Sequence, residues 1–478
     1  MRAALRHALL SLAALALATT AFGDTVPPGG PMPPADNQRL ARDIFRELVE
    51  VRSVHDTGTS AAADILARHF RDAGFTDADI HELADPRFPR QVNLVVRLTG
   101  RGVAKPVLWT CHLDVVEARP EDWSLPPFQF IEQAGYFYGR GTTDMKDEDA
   151  AVAAALIRLK HEGFTPDRDI VVAFTADEEV GGEQDGMWYL VREHRALIDA
   201  ALAINPDGGS GEIDHGQRLD FGIETSEKTY VTFTLATTNK GGHSSEPRAD
   251  NAIYELARGL VRLARFQFPF KTTETTRLYF AKTALGQSGS RRRDLQALAA
   301  ARLDTAAARR VAADPPFNAM LHTTCVATML AAGVQENALA QSATATVQCR
   351  LMPGESPDAT KAAIEAAIAD PAITVKPVGF VVSAGESALN PGLVAAVTQV
   401  VQSMWPLVTV IPEMAAGASD SVFTRQAGIP SFGIGGGWND IHDIRMHGRD
   451  ERHETSDFYS SVEFTYRLMK RLTEGRQD

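Results

Sequence analysis

Apolar residues recur along the chain in two periods. Residues 37–51, NQRLARDIFRELVEV, place Leu40, Ile44, Leu48 and Val49 at helical spacing, which predicts an amphipathic helix. QVNLVVRLTG and PVLWTCHLDVV are short β-branched runs that predict strands. EDAAVAAALIRLKHEGF is rich in Ala and Leu and stops near Gly163, as a good helix would. DIVVAFTAD predicts a strand, MWYLVREHRALI a helix and AALAIN another strand. Strands alternating with helices indicate an α/β sheet, largely parallel and covered on both faces.

The pattern changes near Lys228. TYVTFTLATT alternates like a half-buried strand, and ADNAIYELARGLVRLARF predicts an amphipathic helix. An Arg/Ala-rich stretch at about 288–312 is expected to be helical, HTTCVATMLAAG and SATATVQCRLMPG to be strands, and SPDATKAAIEAAIA a helix capped by Ser356. From about Leu389, the helix NPGLVAAVTQVVQSM and strands near VTVIP and IPSFGIG restore the α/β pattern. A smaller α+β domain over 228–386 is therefore expected inside a larger one formed by 39–227 and 387–478. The length of 478 residues agrees, being too long for one ordinary core.

Composition narrows the classes of function. The chain is 44% apolar and 23% charged, with a formal charge of −13 and no basic block beyond Arg291–Arg293, which argues against nucleic acid as a partner. Residues 1–23 combine Arg2 and Arg6, an apolar stretch from about Ala8 to Ala21 and small residues before a cut after Gly23. That is the pattern of a cleaved secretory leader, so export to a periplasm or the medium is expected, with no stable membrane span after cleavage. Residues 24–38 form a Pro/Gly-rich tether. The three cysteines have no zinc-finger spacing. Cys325 and Cys349 lie on two runs expected to pair as a hairpin, and an oxidising compartment would let them join, leaving Cys111 over.

The candidate chemistry gathers at strand ends. DIVVAFTADEEVGG ends a core strand in Asp177, Glu178 and Glu179, and crowded acids leaving water are costly unless something pairs them. His112 and Asp114 follow another strand, where one can bind a metal while the other fixes its tautomer. Gly139 and Gly141 suit a tight turn that delivers Asp144 just before a helix, where a carboxylate can bridge two metals or merely cap the helix. Of the two glutamates, one can ligate while the other remains free as a general base. Asp207 follows the strand AALAIN, and RMHGRDERHE, with the His442 just before it, offers His442, His447 and His453. Mixed His and carboxylate donors suit zinc, or manganese or cobalt, better than calcium or magnesium. The glycine-rich runs FGIGGGWND and NPDGGSG lack the full dinucleotide or P-loop pattern.

The ordered series HLD, GRGTTDMKD, ADEEVGG, NPDGG, GGHSSEP, CRLMPG, GASDS and MHGRDER resembles the M20 family of metallopeptidases and aminoacylases, in its branch of carboxypeptidase S-like and N-acyl amino acid hydrolases. The resemblance runs from about residue 40 to 465. It implies a zinc-exopeptidase-like catalytic domain with an inserted lid domain that often mediates dimerisation, hence a homodimer. It implies two zinc ions, one held by His112, Asp144 and Asp207, the other by Asp144, Glu179 and His447. Asp114 becomes the acid behind the ligands and Glu178 the general base. His243 is assigned to the scissile carbonyl and Arg350 to the substrate carboxylate, with Asn251 and the backbone near Gly417 as weaker candidates for the same group. The implied reaction is hydrolysis of an amide bond next to a free carboxylate, in a dipeptide, a peptide C-terminus or an N-acyl amino acid. A catalytically inactive relative that binds peptides or amino acids is the alternative. Two positions depart from the family pattern: Asp147 stands where Gly usually follows Lys146, and Asp207 where Glu is frequent.

Overall fold

The computed structural model describes residues 30–475. The leader and residues 24–29 of the tether lie outside the described residues, and the helix Ala35–Val49 begins inside the expected tether. Among those described, no helix is long and apolar enough to cross a membrane.

A ten-stranded mixed sheet forms the body of the protein. At its centre, Ile170–Thr175, Val107–His112, Leu202–Asn205 and Ser431–Gly433 lie side by side and parallel. These strands are apolar on both faces because helices cover both. On one face sits Lys146–His161, whose Ala-rich sequence lets it pack closely between Ala35–Val49 and the C-terminal helix Thr455–Thr473. That helix is buried along almost its whole length, its acidic first turn included.

Register decides what meets at the carboxyl ends of the parallel strands. His112 pairs with Thr175, which puts Asp114 level with Asp177. Trp109 pairs with Ile204, so three residues later His112 is level with Asp207. The HLD, ADEE and NPD segments thus converge because their strands run in the same direction.

A second sheet contains Thr324–Ala332, Ser342–Leu351, Thr229–Thr238 and Thr374–Val378, in that order and all antiparallel. Thr229–Thr238 alternates buried and more exposed positions, and its inward Val231, Phe233 and Leu235 pack under the helices Ala252–Arg265 and Pro357–Ile368. Cys325 lies directly opposite Cys349, and the two form a disulfide.

Three expectations need correction. The Arg/Ala-rich stretch is two helices, Gly289–Ala299 and Thr305–Val311, because Asp304 starts the second by accepting from the N–H groups of Ala306 and Ala307. MWYLVREHRALI is also split, at His194, into Gly186–Glu193 and Arg195–Ile198. Within 228–386, the helices between 274 and 321 form a separate small core around Phe280, Leu295 and Leu298, and Glu274–Thr283 packs on the body strand Thr409–Ala415. This helical piece sits on the larger sheet rather than on the smaller one.

Candidate metal centre

Asp144 is the hub. One of its oxygens is 3.1 Å from His112 Nε2, and the other is 2.8 Å from His447 Nε2. His447 Nε2 also lies 3.1 Å from Glu179 Oε1. One donor atom each from His112, Asp144 and Glu179 falls within 4.8 Å of the others. A carboxylate whose two oxygens face two different histidines is arranged to be shared between two cations. Asp144 does not cap the following helix: Met145 occupies that position, with no side-chain cap.

Asp114 holds the neighbouring acids in place. Its buried carboxylate accepts from the backbone N–H of Glu178 and of Glu179, each at 3.1 Å. This fixes the backbone from which the two adjacent side chains leave the turn. The His112 ring uses Nδ1 differently from expectation. It is 3.0 Å from the backbone carbonyl of Asp114 and 3.8 Å from the carboxylate, because the carboxylate is already engaged by the two amides. The carbonyl sets the tautomer just as well, directing Nε2 at Asp144.

Asp177 does not join its neighbours. Its backbone is left-handed, with φ of 57°, and its side chain turns away to His55 Nδ1 at 2.9 Å. Of the three consecutive acids, the turn therefore delivers two.

The charges show what the site is suited to hold. Burial pushes Asp114 up to about 7, and burial with the nearby charge of Asp144 does the same to Asp207. Burial also drives Glu178 well above the ordinary carboxyl range. Burial works against the His112 cation, yet its bond to Asp144 and the charges of Glu178 and Asp207 hold it well above the usual imidazole value. His447 is raised to about 10 by its bonds to Asp144 and Glu179. So many acids crowded into a partly closed site, with two histidines forced to supply the positive charge, is the electrostatics of a site built for cations. The donors His112, Asp144, Glu179 and His447, with the charge of Asp207 nearby, are of the types that hold dications.

A latch not picked out in the sequence holds the two loops together. Buried Glu451 accepts from the N–H groups of Gly141 and Thr143 and pairs with Arg140 at 2.5 Å. Arg140 also donates to the carbonyls of His447 and Gly448. The loop carrying Asp144 and the loop carrying His447 are thereby fastened to each other. The signal lay in GRGTTD and RDER, both part of the motif series, but nothing in their spacing pairs Arg140 with Glu451. Gly141 has φ of 85°, and a Cβ there would meet Val115 at 2.8 Å and Lys146 at 2.9 Å, so the latch demands glycine. Of the other two histidines considered, His453 is buried between Asp147 and Asp457, and His442 stands on the surface beside Asp214. Neither joins this centre.

A cavity of about 540 Å³ between the body and the smaller sheet is lined by Glu178, Glu179, Tyr230, Arg350, Phe380 and Ser419, among others. Arg350, with its guanidinium 4.6 Å from the centre of the Tyr230 ring, therefore shares a cavity with the paired glutamates. Gly417 has open space around it and precedes the lining residues Ala418 and Ser419. His243 and Asn251 line neither this cavity nor a second one of about 670 Å³ that includes Asp207. His243 is exposed with Ser245 Oγ on its Nδ1, and the Asn251 side chain caps Ala252–Arg265 through the N–H groups of Ile253 and Tyr254.

The protein resembles known proteins over most of its length. The description "Peptidase family M20/M25/M40" matches residues 108–471. The N-fatty-acyl-amino acid synthase/hydrolase PM20D1.1 of Danio rerio is 27% identical over 377 residues, which is 77% of this chain and 72% of that protein. The M20 family metallo-carboxypeptidase Sso-CP2 of Sulfolobus solfataricus superposes with a TM-score of 0.66 at 17% identity, covering 90% of this chain and 98% of that one. The YXEP protein of Bacillus subtilis, described as a dinuclear metal binding peptidase from the M20 family, superposes at 0.56 with 12% identity, covering 92% and 100%. The ordered motifs, the sheet that makes them converge and a family match over most of the chain agree: this protein is an enzyme of peptidase family M20/M25/M40.

Proposed function

We propose that this enzyme is a two-zinc hydrolase that cleaves the amide bond next to a free carboxylate, in a dipeptide, a peptide C-terminus or an N-acyl amino acid. The observation that carries the proposal is Asp144, with one histidine on each carboxylate oxygen. His112 and Asp207 would hold one ion, Glu179 and His447 the other, and Asp144 both; cobalt or manganese would serve in place of zinc. Bound there, the ions would supply a Lewis acid for the carbonyl and lower the pKa of water.

The residues of the chain do the rest. Glu178, fixed through its N–H by Asp114, takes the proton of the attacking water and passes it to the leaving amine. Arg350 reaches the same cavity from the smaller sheet and pairs with the substrate carboxylate, since a guanidinium stays charged and grips both oxygens. Enclosing the substrate between the two sheets excludes water from the reacting bond. His243 and Asn251 would act on substrate only after the smaller sheet moves relative to the body or a second copy presents them.

A second copy fits the exposed edge strand Thr324–Ala332, where Val326, Met329 and Leu330 are 60%, 69% and 67% exposed. We propose that this edge makes the homodimer, as unpaired apolar edges seek a partner strand. We also propose export, on the leader at 1–23 and the Cys325–Cys349 disulfide.

The test is a panel of N-acyl amino acids and dipeptides, each as free acid and as carboxyl amide, assayed with zinc, cobalt or manganese after chelation. Hydrolysis of the free acids with loss of activity on the amides is expected. Equal cleavage of acids and amides would refute recognition of the carboxylate, and undiminished activity in metal-free protein would refute the metal mechanism.

A further inference from the structure

We propose that Asp214, His215 and His442 form an accessory site for a dication that prefers imidazole, separate from the centre at Asp144. The residues meet through strand register. Gly211–Asp214 pairs in parallel with Trp438–Asp440, so that Ile213 faces Asp440. Two residues beyond that pair on each chain lie His215 and His442. Their rings stack at 4.4 Å with 22° between planes. Asp214 supplies the carboxylate, 2.8 Å from His442 Nε2 and 3.8 Å from His215 Nε2. One donor atom from each of the three lies within 4.8 Å of the others.

Two neutral imidazoles and a carboxylate make a donor set for zinc, nickel or copper rather than for magnesium or calcium. All three side chains are partly or largely exposed, so small rotations suffice to bring the donors to ligand distance. On binding, the ion takes the place of the proton between His442 Nε2 and Asp214, and the neutral ring carries its one proton on Nδ1. The local charge favours a cation: His215 lines a cavity together with Glu212, Asp440 and Asp443. The same cavity is lined by Asp207.

The test counts ions. The full chain, with whatever metal its main centre holds, is dialysed to equilibrium against zinc at several free concentrations, and bound zinc is measured by mass spectrometry. The wild type is compared with His215→Asn/His442→Gln and with Asp214→Asn. Asparagine suits position 215 because φ there is 46°, which Asn tolerates. The expected result is that the wild type binds one equivalent more than the double variant, with weakened binding in Asp214→Asn and unchanged hydrolysis in both variants. Equal zinc in wild type and double variant overturns the proposal. The count is a difference between proteins sharing an intact main centre, so it stands or falls independently of whether that centre holds two ions. Copper as a second probe should show nitrogen ligation in the wild type that the double variant lacks, and identical spectra would also overturn the site.

Discussion

At the carboxyl end of the main sheet the chain draws carboxylates inward, whereas on the edge of the smaller sheet it turns Val326, Met329 and Leu330 out to solvent. Each arrangement is costly for an isolated chain, and for opposite reasons. Crowded acids without cations repel each other and lose hydration. An apolar edge strand exposes both hydrocarbon and unpaired backbone groups. In the proposed function, ions offset the crowding in the body and a second copy covers the apolar edge of the smaller sheet. Arg350 reaches from the second region, with Tyr230 and Phe380, into the cavity that holds the paired glutamates of the first.

The sharpest way to break this contrast is to act on the body alone. Chelation should abolish hydrolysis, and Glu178→Gln should lower kcat by roughly 10²–10⁴-fold while metal remains bound, the usual worth of a general base. Glu179→Gln should instead lose metal, since its carboxylate faces His447. Metal analysis beside kinetics decides, and equal metal loss in the two variants would show that Glu178 is not the base.

A smaller effect tests the link between the regions. Arg350→Ala should reduce kcat/KM by about tenfold or more, as for loss of a charged hydrogen bond of about 1.5–3 kcal/mol. Arg350→Lys should recover part of it. If the Ala variant discriminates between free acids and amides as well as the wild type does, another group recognises the carboxylate.

The pH dependence of the metal-free protein separates the regions again. Asp114 and Asp207 are raised to about 7 in the fold, above an unfolded value of about 3.9. Raised acids favour folding most when neutral, so their contribution is complete below the unfolded value and disappears as pH rises through about 7. The Tm of metal-free protein should therefore fall over that window, and zinc should remove the dependence. A Tm that rises with pH across the window would contradict the burial of these acids.

The smallest effect on chemistry should come from the smaller sheet's edge. Leu330→Lys should convert a dimer to a monomer in light scattering while leaving the body folded and metal-loaded. A wild-type protein that is monomeric at all accessible concentrations would remove the edge from consideration as an interface.

Much of the site could be seen in the order of short motifs, because strand-end His, Asp and Glu residues are spelled locally. His112, Asp144, Glu179 and His447 are brought together as their motifs suggested. The direction of the Asp177 side chain was not visible, since a left-handed backbone at one residue turns it to His55. The Arg140–Glu451 latch was hidden for a different reason. Its partners are separated by 311 positions, and only the fold decides which buried charges meet.

What the sequence by itself determined is therefore the periodicity of its elements, the change of pattern near Lys228 and the chemical types available at each strand end. Those follow from short-range alternation and turn chemistry, which a chain carries residue by residue. Tertiary structure alone decided that His112 stands level with Asp207, that Asp114 spends its carboxylate on two amides, and that His215 meets His442 across parallel strands. Each depends on strand register between distant segments. Register is set by how whole hydrophobic faces pack, and no local stretch contains that information.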